Sequence, residues 1–218
     1  MSEAPIPSRG GASEPPPARR ERNAAETKKR LLDAAEAEFA AKGYAGARLR
    51  DVAQAAGVQQ ALIHHYFVDK DGLYRAVLER AMEETTAGSW SILGKATGVV
   101  ETLEAFVAML VDFYASHANL LAILRAEAAS GSSVSIEIMR ERTKPVFDAV
   151  KRMLERYQSD GQIRADVPAQ EIIVSVLSMT IFPFQEAALL EALGAEMAPR
   201  TESRKKAIVA VALRGILP

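Results

Sequence analysis

The chain has 218 residues and no cysteine, which excludes disulfide bonds, thiolate nucleophiles and cysteine-ligated zinc sites. It also has no run of about 18 apolar residues, so we expect no membrane span and no membrane partner. The N-terminal residues lack the apolar segment of a secretory signal, and together with the absence of cysteine this favours a cytoplasmic protein. The formal net charge of −1 argues against a protein that coats nucleic acid with its whole surface.

The sequence signatures of common enzymes are missing as well. There is no glycine-rich phosphate loop, no Gly-x-Ser-x-Gly and no His-Glu-x-x-His, each of which places a catalytic or phosphate-binding group at a fixed spacing. His64 and His65 are adjacent, so on a helix they point about 100° apart and do not chelate one metal ion. We therefore expect no enzyme activity, no catalytic residues, no metal site and no cofactor.

Helical periodicity dominates what is present. Apolar side chains recur every four residues at Leu31, Ala35 and Phe39, and later segments repeat this spacing without an alternating strand pattern. The pattern predicts an all-α fold of about nine helices, three in a small N-terminal unit and about six in a larger one.

Residues 1–24 differ from the rest of the chain in composition. They are rich in proline, serine and glycine and end in a basic run, Arg19, Arg20 and Arg22. Such a segment buries too little apolar surface to order itself, so we expect a disordered tail. The alternative is an arm whose arginines contact DNA phosphates or enter the minor groove.

Residues 49–70 carry the most specific pattern in the chain. They predict two short helices, over about residues 49–56 and 59–67, joined by a tight turn at Gly57, where the backbone needs a positive φ. This arrangement is typical of a DNA-binding helix-turn-helix. The apolar positions expected to seal the two helices against a third are Val52, Val58 and Ile63, and Ala53 is small where the two helices are expected to cross closely.

Glycine and proline indicate where the other helices end. Gly43 is expected to end the first helix, which starts near Glu26. Asp69 is expected to cap a long helix over about residues 71–86, and glycines around Trp90 to interrupt the chain after it. The next helices are expected from Glu101 through Tyr114 and over residues 118–129. Three more are expected over residues 134–159, with Pro145 kinking or splitting the helix, over 168–193, with Pro183 inside it, and over 204–216.

With these residues in view, the chain resembles the TetR family of bacterial transcriptional regulators over about residues 26–85. The resemblance rests on Lys42-Gly43-Tyr44, on the stretch from Leu49 to Val58, and on Tyr66-Phe67, Asp69-Lys70 and Leu73. It implies a DNA-binding domain over residues 25–70 and a ligand-sensing and dimerisation domain over residues 71–218. Two positions depart from the family pattern: Arg48 replaces a typical hydroxyl residue, and His64 replaces the usual tyrosine.

The resemblance implies that the second motif helix enters the major groove of double-stranded operator DNA. Gln60 is expected to read a base, Ala61 to contact a thymine methyl group, and backbone contacts to fix the register. The candidate DNA-binding residues are Arg48, Arg50, Gln59, Gln60, Ala61, His64, His65, Tyr66 and Lys70.

The resemblance further implies a homodimer formed by the last two long helices, about 169–193 and 203–216. The candidate interface residues are Ile172, Ile173, Val176, Leu177, Thr180, Ala187, Leu190, Ile208, Val211, Ala212 and Leu213. A small-molecule effector is expected in the larger domain, with Arg142 favouring an anionic ligand. The candidate pocket residues are Trp90, Phe106, Met109, Leu110, Phe113, His117, Leu121, Met139, Arg142, Phe147, Met179 and Phe182.

The function that these features imply is a repressor that binds a palindromic operator as a homodimer and is released by a small, largely apolar effector. The helix over residues 71–86 is expected to carry the signal between the two domains. A transcriptional activator or a non-sensing DNA-binding protein of the same fold remains the alternative.

Overall fold

The computed structural model describes residues 17–131, 134–196 and 201–218, with only the backbone described for residues 17–20. Over these ranges the chain forms eleven α-helices and one π-helical turn and no strand, as the all-α prediction requires. The helices are α1 (Pro17–Gly46), α2 (Leu49–Ala55), α3 (Ala61–Phe67), α4 (Lys70–Leu93), α5 (Val99–Ser116), α6 (Ala118–Ser130), α7 (Val134–Ile138), α8 (Lys144–Ser159), α9 (Ala169–Gln185), α10 (Ala187–Ala192) and α11 (Thr201–Ile216), and the π turn is Met139–Thr143.

Two predicted helices are divided, which accounts for the higher number. The π turn separates α7 from α8 just before Pro145, which has no N–H for a helical hydrogen bond and lies in the first turn of α8. Glu186, with φ −113 and ψ 30, separates α9 from α10 shortly after Pro183. The prolines therefore mark both divisions, as the sequence indicated for Pro145.

The first helix starts earlier than predicted. α1 begins at Pro17, so residues 17–24, assigned to a disordered tail from the sequence, are helical. Proline is favoured in the first turn of a helix, and the alanine, arginine and glutamate residues that follow are good helix formers. Residues 1–16 of the predicted tail, and the side chains of Arg19 and Arg20, lie outside the described parts of the structure.

Positive φ angles at two glycines shape the N-terminal unit. Gly43 has φ +66 and bends the end of α1, and Tyr44 then packs against Phe39 and Tyr74, with ring centroids 6.3 and 5.0 Å apart. Gly57 has φ +65 and turns the chain between α2 and α3, as predicted.

Helix α4 continues through the segment that was expected to break. It runs past Gly88 and Trp90 to Leu93. A Cβ at Gly88 would lie 2.6 Å from Sδ of Met109 in α5, so this glycine permits a close helix crossing and does not end the helix. Helix propensity alone does not separate these two uses of glycine.

The N-terminal unit shares its hydrophobic core with the rest of the chain. One buried cluster runs from Leu31 and Phe39 of α1 through Ile63 of α3 and the first half of α4 to Leu120 and Ile123 of α6. The boundary predicted at residues 70 and 71 therefore does not separate two hydrophobic cores.

No single helix in the described ranges is long and apolar enough to span a membrane. The pair α5 and α6 meets the length and composition criteria only when taken together, and the two helices are bent by 84° relative to each other.

Candidate DNA-binding surface and internal cavity

The start of α2 is held by side chains of α1. Arg48 is extended, with φ −124 and ψ 130, and its side chain makes no capping hydrogen bond. Its backbone N–H instead donates to Oε1 of Glu38 at 3.4 Å. Lys42 bridges Glu38 at 2.7 Å and Asp51 at 3.0 Å, and the hydrogen bond from Lys42 lowers the pKa of Asp51. The carboxylate of Glu38 thus accepts from the N–H of the N-cap residue and places negative charge near the start of α2. The N–H groups of the first turn, which would donate to a hydroxyl cap, donate no hydrogen bond to the Arg48 side chain.

Most of the candidate DNA-binding residues are exposed around α3. Gln60 adopts helical angles immediately before Ala61 begins the helix. The rings of His65 and Tyr66 contact edge to face, with centroids 5.0 Å apart. The exposed candidates are Arg48, Arg50, Gln59, Gln60, Ala61, His64 and His65, and the half-buried ones are Tyr66 and Lys70.

The imidazole of His64 is held in one orientation. Its Nδ1 lies 2.9 Å from the carbonyl oxygen of Val68, and because a carbonyl only accepts, Nδ1 carries the proton in this bond. Only Nε2 then remains for a partner outside the chain.

A strained turn joins α3 to α4. Val68 has φ 68 and ψ −59, and the N–H of Asp69 donates to the carbonyl of Phe67 at 2.8 Å. These values define a γ-turn of the rare kind with positive φ, which is costly for a β-branched residue. A Cβ at Gly72 would overlap the carbonyl oxygen of Phe67. The junction therefore requires glycine on the α4 side.

Further contacts fix the beginning of α4. The side chain of Asp69 accepts from the N–H of Gly72 at 2.8 Å, as its predicted capping role requires. The ammonium of Lys70 lies 4.7 Å from the ring centroid of Tyr44, and the hydroxyl of Tyr44 donates to Asp71. Lys70 is thus partly engaged within the chain, which the sequence did not indicate.

A cavity of about 250 Å³ lies among α4, α5, the π turn, α8 and α9. Its wall is almost entirely apolar. The candidate pocket residues that line it are Phe106, Met109, Leu110, Phe113, Met139 and Phe147.

The remaining pocket candidates lie elsewhere, so the structure contradicts their placement. Trp90 and Phe182 are 46% and 47% exposed, and Leu121 is buried away from the cavity. His117 stacks on Phe113, with ring centroids 4.1 Å apart, but does not reach the cavity. Met179 packs with the cluster formed by α5, α9 and α11. Helical periodicity places an apolar residue inside the fold but does not say which of two neighbouring spaces it faces.

Arg142 is also outside the cavity. Its guanidinium lies 3.7 Å from Glu79 and 3.6 Å from Glu83 of α4. Arg75 of α4 reaches back to Glu137 at 2.8 Å and to Glu141 at 3.9 Å. The ion pairs of Arg142 and Glu141 therefore join the π turn to α4. The π turn forms part of the cavity wall, and α4 begins directly after the γ-turn.

The polar residues of the cavity were not predicted from the sequence. Tyr114 and Tyr157 both line it, as do several hydroxyl residues of α4 and α5. Tyr114 is part of the apolar stripe of α5, and its place next to Phe113 was the only signal in the sequence.

Most of the predicted dimer-interface residues are not accessible to a second chain. Ile172, Ile173, Val176 and Leu177 line the cavity. Thr180, Ile208 and Ala212 are buried within the chain, and Ala187, Leu190 and Leu213 are half-buried. Helix α9 is apolar on most of its faces, so periodicity did not identify its outer side. The large apolar side chains exposed on α9, α10 and α11 are Val174, Phe182, Leu189 and Val211, of which only Val211 was predicted.

Comparison with known proteins finds relatives of both parts of the chain. A family model described as bacterial regulatory proteins, tetR family, matches residues 31–77. A second, described as tetracyclin repressor-like, C-terminal domain, matches residues 100–211. The HTH-type transcriptional repressor SCO4008 of Streptomyces coelicolor is 30% identical over 156 residues, which cover 70% of this chain and 76% of that repressor.

Solved structures share the fold. The ketosteroid transcriptional regulator KstR2 of Mycobacterium tuberculosis matches with a TM-score of 0.69 at 18% identity, over 88% of this chain and 95% of that one. AibR, solved in complex with isovaleryl coenzyme A and operator DNA, matches with a TM-score of 0.68 at 18% identity, over 85% of this chain and 97% of that one.

Proposed function

The chain belongs to the TetR family of bacterial regulatory proteins, and on that basis we propose that it is a ligand-responsive transcriptional repressor that binds a palindromic operator as a homodimer. Its relative SCO4008 is a transcriptional repressor, and AibR was solved with both an acyl coenzyme A ligand and operator DNA. We propose a regulatory role and not a catalytic one, exercised on DNA in the cytoplasm.

The observation that carries this proposal is the exposed polar start of α3. Gln59, Gln60 and Ala61 are all exposed there, and the N-terminal residues of a recognition helix are those that reach base edges in the major groove. A glutamine amide forms two hydrogen bonds with adenine, and an alanine methyl group packs against that of thymine. Arg48 and Arg50 extend from the preceding helix and supply cations for phosphate contacts.

The exposed apolar side chains of α9 and α11 support the homodimer. Val174 and Phe182 are eight residues apart and share one face of α9, and Val211 is exposed on α11. We propose that this face packs against its copy in a second chain, because two recognition helices bury enough surface for specific binding where one buries little.

The cavity and α4 together support ligand control. Met139 and Thr143 of the π turn line the cavity, and the same turn is paired to α4 through Arg142 with Glu79 and through Glu141 with Arg75. A ligand that favours one arrangement of this wall would therefore favour one position of α4 and of the recognition helix attached to it. Such control requires only a difference in ligand affinity between the two positions.

Genomic binding-site mapping with the full chain tests this proposal. We expect a few strongly enriched sites with two inverted half-sites whose centres lie about 10–10.5 base pairs, or a multiple of that, apart. Transcription from the adjacent promoter should rise when the gene for this chain is deleted. A fall in that transcription would identify an activator, and enrichment spread evenly over the chromosome would contradict specific regulation.

A further inference from the structure

We propose that the effector is an uncharged, largely apolar molecule that carries a hydrogen-bond acceptor, such as a ketone oxygen, and that the hydroxyl groups of Tyr114 and Tyr157 donate to this acceptor. The inference rests on the proposed function, because it takes the internal cavity as the effector site. It replaces the anionic ligand that the sequence suggested through Arg142.

The cavity wall has no charged partner for an ionised ligand. None of its lining residues in the described parts of the chain is Lys, Arg, His, Asp or Glu. The arginine expected there, Arg142, is instead paired with Glu79 and Glu83. Moving a carboxylate or an ammonium group from water into such a space costs far more than an apolar contact returns. The wall therefore selects a neutral molecule.

Three of the five serine and threonine hydroxyl groups of the wall have already used their proton. Thr85, Ser89 and Thr102 donate to backbone carbonyl groups three or four residues earlier in the chain, at 3.0, 2.8 and 2.5 Å. Thr86 reaches a carbonyl of the π turn at 3.5 Å, and Thr143 reaches a methionine sulfur at 3.9 Å. A hydroxyl has one proton to donate, so the three well-bonded groups are not available as donors to a ligand.

The two tyrosines are different. Both line the cavity, and neither hydroxyl makes a hydrogen bond with any residue that the structure describes. The ring of Tyr114 packs between Phe113 and Phe184, with centroids 5.5 and 6.4 Å away. Burial raises the pKa of Tyr114 to about 12, so this hydroxyl keeps its proton throughout the physiological range. A donor in an apolar wall is satisfied by a ligand that brings an acceptor.

The volume of the cavity limits the size of this ligand. About 250 Å³ is slightly below the range of about 300–1,000 Å³ that is common for small-molecule sites. A compact molecule of one or two rings, or a short chain, fits this space. The bulk of a large polar carrier group would have to remain outside.

Binding of matched probes tests the inference. We would measure affinities by calorimetry on the full chain without DNA. Two ketones, benzophenone and 2-undecanone, are each compared with a carboxylate, 4-benzoylbenzoate and undecanoate respectively. Diphenylmethane is the hydrocarbon that lacks the acceptor of benzophenone. We expect each ketone to bind at least about tenfold more tightly than its carboxylate, because the wall offers no cation. The double variant Tyr114→Phe with Tyr157→Phe should bind benzophenone about three- to tenfold more weakly, the loss of a hydrogen bond, and diphenylmethane unchanged.

Tyr74→Phe is the matched control. Tyr74 lies outside the cavity, and burial, aided by the charge of Glu127, raises its pKa to about 12 as well. Its loss of a hydroxyl should leave the affinity for both ketones unchanged. The cavity double variant should also unfold at the same temperature as the parent, because the two hydroxyls that it removes make no hydrogen bond with residues 17–131, 134–196 or 201–218.

Three results would overturn the inference: no binding of either ketone, a carboxylate that binds as tightly as its ketone, or an unchanged ratio of benzophenone to diphenylmethane affinity in the double variant. Because these measurements need no DNA, they fail or succeed separately from the proposed function. A chain that prefers ketones but selects no operator would contradict only the regulatory role.

Discussion

At the residue scale, the roles of α3 side chains depend on what each already bonds within the chain. Gln60 is exposed and makes no hydrogen bond through its side chain within the described residues. Nδ1 of His64 already donates a hydrogen bond to the carbonyl oxygen of Val68. The exposure of Gln60 follows from the helix-turn-helix pattern. The bond of His64 depends on a positive φ at Val68, which no residue preference predicts for valine.

Replacing Gln60 by alanine should relax the base preference without unfolding the protein. A bidentate contact to one base contributes about 1–3 kcal/mol of discrimination, so the selected site should lose its preference at one position in each half-site. Site selection from a random DNA pool measures this. A variant that selects the same site as the parent would show that Gln60 reads no base.

At the scale of elements, the junction between α3 and α4 is the most constrained part of the DNA-binding unit. The γ-turn at Val68, the Asp69 cap and the close approach of Gly72 to the Phe67 carbonyl fix the angle at which the recognition helix leaves α4. The sequence predicted the cap, because aspartate before a helix is a strong signal. It did not predict the roles of Val68 and Gly72, which depend on the distance between two segments.

Gly72→Ala should therefore weaken operator binding and destabilise the fold. Its Cβ meets backbone atoms of Phe67, which do not move without changing the junction, and we expect a loss of about 1–3 kcal/mol in the free energy of unfolding. Gly215→Ala in α11 is the control, because a Cβ there has nothing within 4 Å. It should be neutral or stabilising by up to about 1 kcal/mol. Equal unfolding temperatures for the two variants would contradict this account.

Helices α4 and α9 show what periodicity settles and what it leaves open. It identified α9 as apolar, but Ile172 and Ile173 line the cavity, while Val174, the next residue, and Phe182 are exposed. It placed a break near Gly88, where the glycine serves instead as a contact with Met109. The class of each element follows from sequence because it depends on local spacing. The side that an element buries depends on neighbours that are distant in the chain.

At the scale of the whole molecule, the account requires two chains. Val211 is 62% exposed in the single chain, so Val211→Asp should leave the fold intact. In the proposed dimer the new carboxylate would be buried without a partner, which is costly, so the dimer dissociation constant should rise by at least about a hundredfold. Analytical ultracentrifugation measures this. Ile136→Asp, which alters an exposed residue of α7, is the control and should remain dimeric. A Val211→Asp protein that is still dimeric at nanomolar concentration would contradict the proposed interface.

The helix-turn-helix and the all-α class could be read from sequence because they rest on short motifs and local periodicity. The cavity could not be predicted from sequence, because its wall combines α4, α5, α8 and α9 with a π turn. Pro145 predicts a break in the helix there but not a π turn. The wall is uncharged because Arg142 lies outside it and pairs with two glutamates of α4. That position depends on how the π turn packs against α4, and these two segments are distant in the chain.

The most direct test of the central claim is the affinity of the full chain for its selected palindrome and for a scrambled duplex of the same length, by fluorescence anisotropy at about 0.15 M salt. The account predicts that the palindrome binds at least about a thousandfold more tightly, and that scrambling one half-site removes most of this difference. Equal affinity for the palindrome and the scrambled duplex would contradict it.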